Sequence, residues 1–519
     1  MNLPPRFKDR SLRRFIHFSE NSALPLLLAA IVAAIVWAPR LTDALFVDEA
    51  GTFWLIQDGL VEGVQRALSK TGQSWFYTAI LALWTSVFGM SEIALRLPSI
   101  AAALATCALV IRIGRDRGIA SPGIAGILVA LAPLMTFAAT VARPYALGLF
   151  FSTLAIACLQ SWTRRASTVS LYATVIATVC AIYCHVTFVA LLLMLGVVLI
   201  EKRAYQGHLR PLLKASLAVL LGLSPTLLTL FYMSHDQISN VAIIHEPPSG
   251  LALLTHFLST IMLLVLALVV AARITIFRRP PRLQSKPSTE DQKVAALQLP
   301  TVWSELRFGL ALYLVPKMLT LGVALTVDPT LLVPRYSILS SVGEAYTAAV
   351  LLSTIWSRLW MMSLSAVAIV SMLLPYVIAT PPDTAWRPII ERSHAITSRS
   401  SCTFFALVGF AESKRVELLT QEPTHSFIKS PLTYYRLEPA VLLPASTDSQ
   451  KEQDYMAKMV YPKAASSTCN LILDWRIVDS APTTMSGPQA LANELARRGC
   501  STSAPLSAGL VTLTEWHCR

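Results

Sequence analysis

Asp48 and Glu49 stand side by side in LFVDEAGTFWLIQDG, residues 45 to 59, directly after an apolar run. A carboxylate pair at a bilayer edge is costly unless water, a cation or a basic group satisfies it. Two arginine–tyrosine motifs recur further on, Arg143 with Tyr145 in ARPYAL and Arg335 with Tyr336 in VPRYS. His185 stands alone in YCHVTF. A carboxylate can take a proton from a hydroxyl nucleophile or hold a divalent cation. Forked guanidinium donors grip a phosphate. Brought to one membrane surface, these groups could run group transfer from a lipid-phosphate donor. Each also has a plainer reading. One carboxylate caps a helix beginning near Gly51, which leaves the other unexplained. Arg143 snorkels, Arg335 anchors topology, His185 is a satisfied interfacial histidine, and the tyrosines belong to an aromatic belt.

The elements that must position these residues are membrane helices. The 519 residues are 54% hydrophobic and 14% charged, where a soluble domain carries about 25% charged. The formal charge of +13 lies in short clusters between apolar runs. That pattern belongs to cytoplasmic loops and excludes nucleic-acid binding. The basic start MNLPPRFKDRSLRRFIHF precedes an apolar run with no small-residue cleavage site, which predicts a retained first helix. Apolar runs predict about eleven spans, near 22–38, 95–113, 118–138, 144–161, 168–184, 186–200, 211–233, 251–272, 306–326, 336–355 and 358–378.

One stretch, SWFYTAILALWTSVFG at 74–89, is ambiguous, and charge decides it. With 74–89 not crossing and the N-terminus cytoplasmic, RIGRDRG, TRR, EKRAYQGHLRPLLK and RITIFRRPPRLQSK all fall inside. The positive-inside rule is then obeyed, so 74–89 reads as a re-entrant or juxtamembrane helix. The same topology sends Asp48, Glu49, Arg143, Tyr145, His185, Arg335 and Tyr336 to the outer face. His235, Asp236, His245 and Glu246 share an outer loop there, and a divalent cation on Asp48, Glu49, His245 and Glu246 is a further option.

Residues 1–379 form the membrane part. Residues 380–519 carry no span and read as an outer soluble domain of mixed α/β character. Its strand-like runs are TFFALVGF, NLILDWRIV and GLVTLTEW, with a helical PQALANELARRG between the last two. Cys402, Cys469, Cys500 and Cys518 lie here; Cys107, Cys158, Cys180 and Cys184 lie in spans. Four cysteines in an oxidising compartment predict two disulfides of undetermined connectivity, with four free thiols as the plain alternative. No Gly-rich nucleotide loop and no HExxH or CxxC spacing occurs.

The order DEA…W, FYTAILALWTSVFGMSEIALRLPS, ARPYAL, YCHVTF and PRYS resembles the polytopic C-type glycosyltransferases. These include the protein O-mannosyltransferases and the lipid A aminoarabinose transferases. The resemblance covers roughly residues 22–345, and FGMSEIALRLPS is its most specific piece. It implies a polyprenyl-phosphate sugar donor, inverting transfer to an envelope glycan, lipid or protein hydroxyl, and an outer-face site in the plasma membrane. It assigns the key acid to Asp48 and the second acid to Glu49, and matches Arg143 and Tyr145 to an arginine–tyrosine at the outer end of a span. From the chemistry of the residues themselves, Arg143, Tyr145, His185, Arg335 and Tyr336 are expected to hold the donor phosphate. Where many relatives carry a Pro-Pro or Lys-Pro element before the aromatic pair, this chain has Gly72-Gln73-Ser74-Trp75. The rival expectations are a polytopic lipid or glycan transporter and a non-catalytic relative acting as a scaffold.

Overall fold

A computed structural model describes residues 24–71, 74–119, 122–201, 208–241, 289–326, 332–353, 385–398, 401–410, 413, 416–420, 427–437, 439–475 and 485–519. The architecture is mainly helical with a small C-terminal sheet.

The membrane part begins with α1 (Leu24–Trp37). Then come the helices α2 (Val47–Ile56), α3 (Leu60–Arg66) and α4 (Trp75–Phe88). The chain continues through α5 (Glu92–Arg117), α6 (Pro122–Leu131), α7 (Pro133–Thr140), α8 (Tyr145–Arg165), α9 (Thr168–Cys184) and α10 (Ala190–Glu201). Among the described residues it continues with α11 (Leu209–Val241), α12 (Thr289–Thr326) and α13 (Ser340–Ser353).

Local signals set the boundaries that matter. Ser91 caps α5 by accepting from Ala94 N–H, and Gly118 ends it at φ +79°. Pro133 cannot donate into a continuous helix, so α6 and α7 meet at a 64° bend. By length and composition, Glu92–Arg117, Tyr145–Arg165 and Val302–Thr326 can each cross a membrane, and the bent α6–α7 pair makes a fourth. That supports a membrane protein without counting the expected eleven spans. Two of those, 251–272 and 358–378, lie outside the described residues. The ambiguous 74–89 stretch folds as α4, 14 residues long, against about 20 for a crossing. It buries Tyr77, Leu81 and Ala82 and exposes Leu83, Val87 and Phe88.

The C-terminal unit opens with α14 (Arg387–Thr397) and holds β1 (Thr403–Leu407), β2 (Ala440–Leu442), β3 (Cys469–Trp475), β4 (Ser501–Thr502), β5 (Leu506–Ala508) and β6 (Val511–His517). The order is β2-β1-β3-β6-β4, with β5 also on β6. The strands β2, β1 and β3 run parallel, and β6 is antiparallel to β3. The runs FFAL and LIL are apolar throughout, as strands buried on both faces require. The predicted helix appears as α16 (Gly487–Arg497), after the short α15 (Ser430–Tyr434). Two disulfides form, Cys402–Cys469 across the starts of β1 and β3 and Cys500–Cys518 beside β4 and β6. The core of this unit runs without a break into the segment after α1, joining Phe405, Leu473 and Trp475 to Leu45, Trp54 and Leu81.

Candidate active site

Asp48 lies in the first turn of α2, where helix dipole and exposed N–H groups favour a carboxylate. Its carboxylate makes one ion pair among the described residues, at 3.8 Å to Arg335 Nη2, and accepts no hydrogen bond there. About a quarter of the side chain remains exposed. Asp48 is therefore held at a surface but not consumed by it.

Glu49, one residue on, is wholly buried. Its two oxygens accept from Arg96 Nε at 2.8 Å and Nη2 at 2.7 Å, from Ala142 N at 2.7 Å and from Phe46 N at 3.2 Å. Those four donors fill its acceptor positions. The Phe46 bond closes a loop onto the start of α2. The Ala142 bond ties α2 to the turn that carries Arg143. Glu49 thus aims both Asp48 and Arg143.

The two arginines come from segments far apart in the sequence. Arg143 sits in the turn between α7 and α8, and its Nη1 donates to Asp48 O at 3.3 Å and Thr52 Oγ1 at 3.5 Å. Arg335 sits in a 3-10 turn, Pro334–Ser337, just before α13. Each guanidinium lies near the tyrosine of its own motif, Arg143 at 5.9 Å from the Tyr145 centroid and Arg335 at 5.6 Å from that of Tyr336. The Nε atoms of both arginines are buried and have no hydrogen-bond partner among the described residues.

His185 links the two motifs. It lies between α9 and the turn Val186–Val189, with ring centroids 5.3 Å from Tyr145 and 5.7 Å from Tyr336. Burial, followed by the nearby Arg143 and Arg335 charges, pushes its pKa down to about 3. Thr187 N–H donates to Nδ1 at 3.3 Å. In the neutral ring Nε2 then carries the proton and serves as a donor.

The sequence-derived set therefore converges: Asp48, Glu49, Arg143, Tyr145, His185, Arg335 and Tyr336 share one locus. His245 and Glu246 lie outside the described residues. Sequence reasoning passed over Arg96, although it stands in the quoted FGMSEIALRLPS string, because nothing local shows that it reaches back to Glu49. Thr52 was also missed. Its signal was faint, a hydroxyl one helical turn after Asp48. Among the described residues the one metal-like grouping is Cys469, Glu515 and His517, and its cysteine is disulfide-bonded.

The sequence matches no known family model and no curated protein at a significant level. Solved structures do resemble it, and they place the chain in the fold of the polytopic C-type glycosyltransferases. One is ArnT from Cupriavidus metallidurans bound to undecaprenyl phosphate, 14% identical, covering 95% of this chain and 98% of that one at a TM-score of 0.50. The apo form of that ArnT matches at 14% identity, 94% and 97% coverage and a TM-score of 0.47. An Archaeoglobus fulgidus oligosaccharyltransferase in complex with Zn and sulfate matches at 10% identity, 86% and 67% coverage and a TM-score of 0.43.

Proposed function

We propose that this chain is a membrane glycosyltransferase that moves a sugar from a polyprenyl-phosphate donor to an envelope acceptor at the outer membrane face. The observation that carries the reading is the pair of buried Nε atoms on Arg143 and Arg335 that lack a partner among the described residues, beside the partly exposed Asp48 carboxylate. Guanidinium donors without partners are stabilised by an anion, and a phosphate accepts their fork bidentately. The neutral Nε2–H of His185 adds a donor. The fold shared with ArnT, seen in that protein with undecaprenyl phosphate bound, supports a lipid-linked phosphate as that anion.

The acceptor hydroxyl attacks the anomeric carbon from the face opposite the phosphate, which inverts that centre. Asp48 takes the hydroxyl proton as the new C–O bond forms. The bond from the anomeric carbon to the phosphate oxygen breaks, and the lipid phosphate leaves with its electron pair. Arg143 and Arg335 neutralise the charge that develops there, with His185 donating. Tyr145 and Tyr336 hold the arginines and the histidine in place. Any divalent cation would rest on Asp48 and on groups beyond the described residues, such as His245 and Glu246, since Glu49 is committed to Arg96.

Purified protein, incubated with undecaprenyl-phosphate-linked sugars, tests this by release of undecaprenyl phosphate. We expect Asp48→Asn to lower turnover by about 10²–10⁴-fold, the usual weight of a general base, with folding intact. Wild-type protein that turns over none of the sugars would favour the scaffold reading. Near-normal turnover in Asp48→Asn would remove Asp48 from the role of base.

A further inference from the structure

The backbone leading into Asp48 belongs to no regular ladder, yet every carbonyl from Arg40 to Leu45 is taken. Buried carbonyls without partners are costly, so an irregular segment needs side chains to satisfy it. Arg96 Nη1 donates to Arg40 O at 2.9 Å, Leu41 O at 3.0 Å and Asp43 O at 2.8 Å, and Arg96 Nη2 to Ala44 O at 3.3 Å.

The other two carbonyls are held from the C-terminal unit. Arg387 donates to Thr42 O through Nε at 3.1 Å and Nη2 at 2.8 Å, and Trp386 Nε1 donates to Leu45 O at 3.0 Å. The same unit holds the one amide that matters most. Leu45 N–H donates to Tyr435 Oη at 2.7 Å, and the Tyr435 hydroxyl donates onward to Glu92 Oε1 at 3.3 Å. Glu92 Oε1 also accepts from Arg387 Nη2 at 2.6 Å. Burial raises the Tyr435 phenol above its ordinary value, so the hydroxyl keeps the proton this relay uses.

The anchors are rigid. Trp386 is fully buried, with its ring centroid 5.0 Å from Tyr435 and 4.6 Å from Trp475 at the end of β3. Further along α2, Tyr434 packs edge-on against Phe53 at 5.0 Å and Phe427 against Trp54 at 5.5 Å. The helix that presents Asp48 is thus gripped by Arg96 on the membrane side and by the C-terminal unit on the other.

We propose that Trp386 and Tyr435 are positioning residues for Asp48, so that sugar transfer requires the C-terminal unit to be docked on the first outer segment. The role of Asp48 rests on the function proposed above; the positioning itself does not. A segment released at Leu45 lets the start of α2 shift, and a one-residue shift turns a helical side chain by about 100°. A displacement of about 1 Å is enough to cost about 10²-fold in rate.

The test uses full-length protein in lipid nanodiscs carrying Tyr435→Phe, which keeps the ring but removes the acceptor of Leu45 N–H and the bridge to Glu92. The readout is amide hydrogen exchange at Glu49 and Ala50. Their N–H groups bond Phe46 O and are not touched by the substitution. We expect exchange there to rise about fivefold or more, the weight of one hydrogen bond, with β3 amides unchanged. Turnover of the undecaprenyl-phosphate-linked sugar should fall about 10-fold or more, with affinity for undecaprenyl phosphate within about twofold of wild type. Trp386→Phe, which loses only the indole donor to Leu45 O and some ring area, should act in the same direction and covers the case in which Tyr435→Phe does not fold. Unchanged exchange at Glu49 and Ala50 in a folded variant overturns the proposal, as does an equal rise at β3, which would mean general loosening. Persistent turnover in Asp48→Asn would sink the function of Asp48 and leave the exchange result to decide the positioning.

Discussion

Asp48 and Glu49 are neighbours of one chemical type with opposite circumstances. Asp48 is partly exposed with one loose ion pair, while Glu49 is 0% exposed and opposite an Arg96 side chain that is 1% exposed. Breaking a buried pair by removing one partner costs about 3–5 kcal/mol, because the remaining charge is left without compensation. We therefore expect Glu49→Gln to lower thermal stability strongly and Asp48→Asn to leave it nearly unchanged, measured by melting of the purified proteins in detergent. Equal melting points for the two variants would show that the Arg96 contacts to backbone carbonyls suffice on their own. His185 gives a second residue-scale prediction. Its folded pKa, about 3, lies below the ordinary value near 6.5. Between those values the unfolded chain binds the proton and the folded one does not. His185 thus stabilises fully above about pH 6.5 and loses that contribution as pH falls, at up to about 1.4 kcal/mol per pH unit. A His185→Gln variant should show a flatter fall of melting temperature from pH 6.5 to 4 than wild type. An unchanged slope would mean that other groups carry the acid sensitivity.

At the scale of elements, helix ends deliver the site and close helix packing fixes those ends. Gly343 in α13 faces α12 so tightly that a Cβ there would lie 2.2 Å from Tyr313 N and 2.3 Å from Leu312 C. Those are backbone atoms that cannot swing aside. Gly343 lies in the first turn of α13, eight residues after Arg335 and its 3-10 turn, so separating the helices should move the guanidinium. Gly343→Ala should destabilise by about 1–3 kcal/mol and weaken binding of undecaprenyl phosphate. Gly196→Ala in α10, where a Cβ would meet nothing within 4 Å, is the control and should do neither. Isothermal titration and a melting curve on each variant check this, and a Gly343→Ala protein with both values unchanged would refute the packing argument. This scale also explains what the sequence made legible. Asp48, Arg143, His185 and Arg335 could be grouped because each stands at the end of an apolar run, and charge asymmetry assigns ends to faces. A helix over 74–89 was legible from its apolar run. The role of Glu49 was not, because its partner Arg96 is 47 positions away and only the fold brings them together. The disulfide connectivity was hidden likewise, since it depends on which strands pair.

For the whole molecule, the question is which compartment the site faces. The C-terminal unit binds the first outer segment through Tyr435, Trp386 and Arg387, so the site and this unit share one side of the membrane. The unit contains two disulfides, and disulfides persist in oxidising compartments rather than the cytosol. The loop charges favour the same orientation, since the expected topology sends the basic clusters RIGRDRG, TRR and EKRAYQGHLRPLLK to the other side. Near that side Arg117 pairs with Glu201 at 2.6 Å and with Glu305 at 2.6 Å, joining α5, α10 and α12 away from the site. Redox chemistry and loop charge are two independent reasons to expect the site on the outer face, where the proposed lipid-linked donor would meet an acceptor from water. A reporter active only in the cytoplasm, fused after Arg519, should be silent. The four cysteines of the unit should also resist maleimide labelling in intact cells until a reductant is added. A bright cytoplasmic signal, or free labelling without reductant, would place the unit and Asp48 inside. The donor would then have to be reached from the cytoplasm, and the acceptor could not be an envelope component.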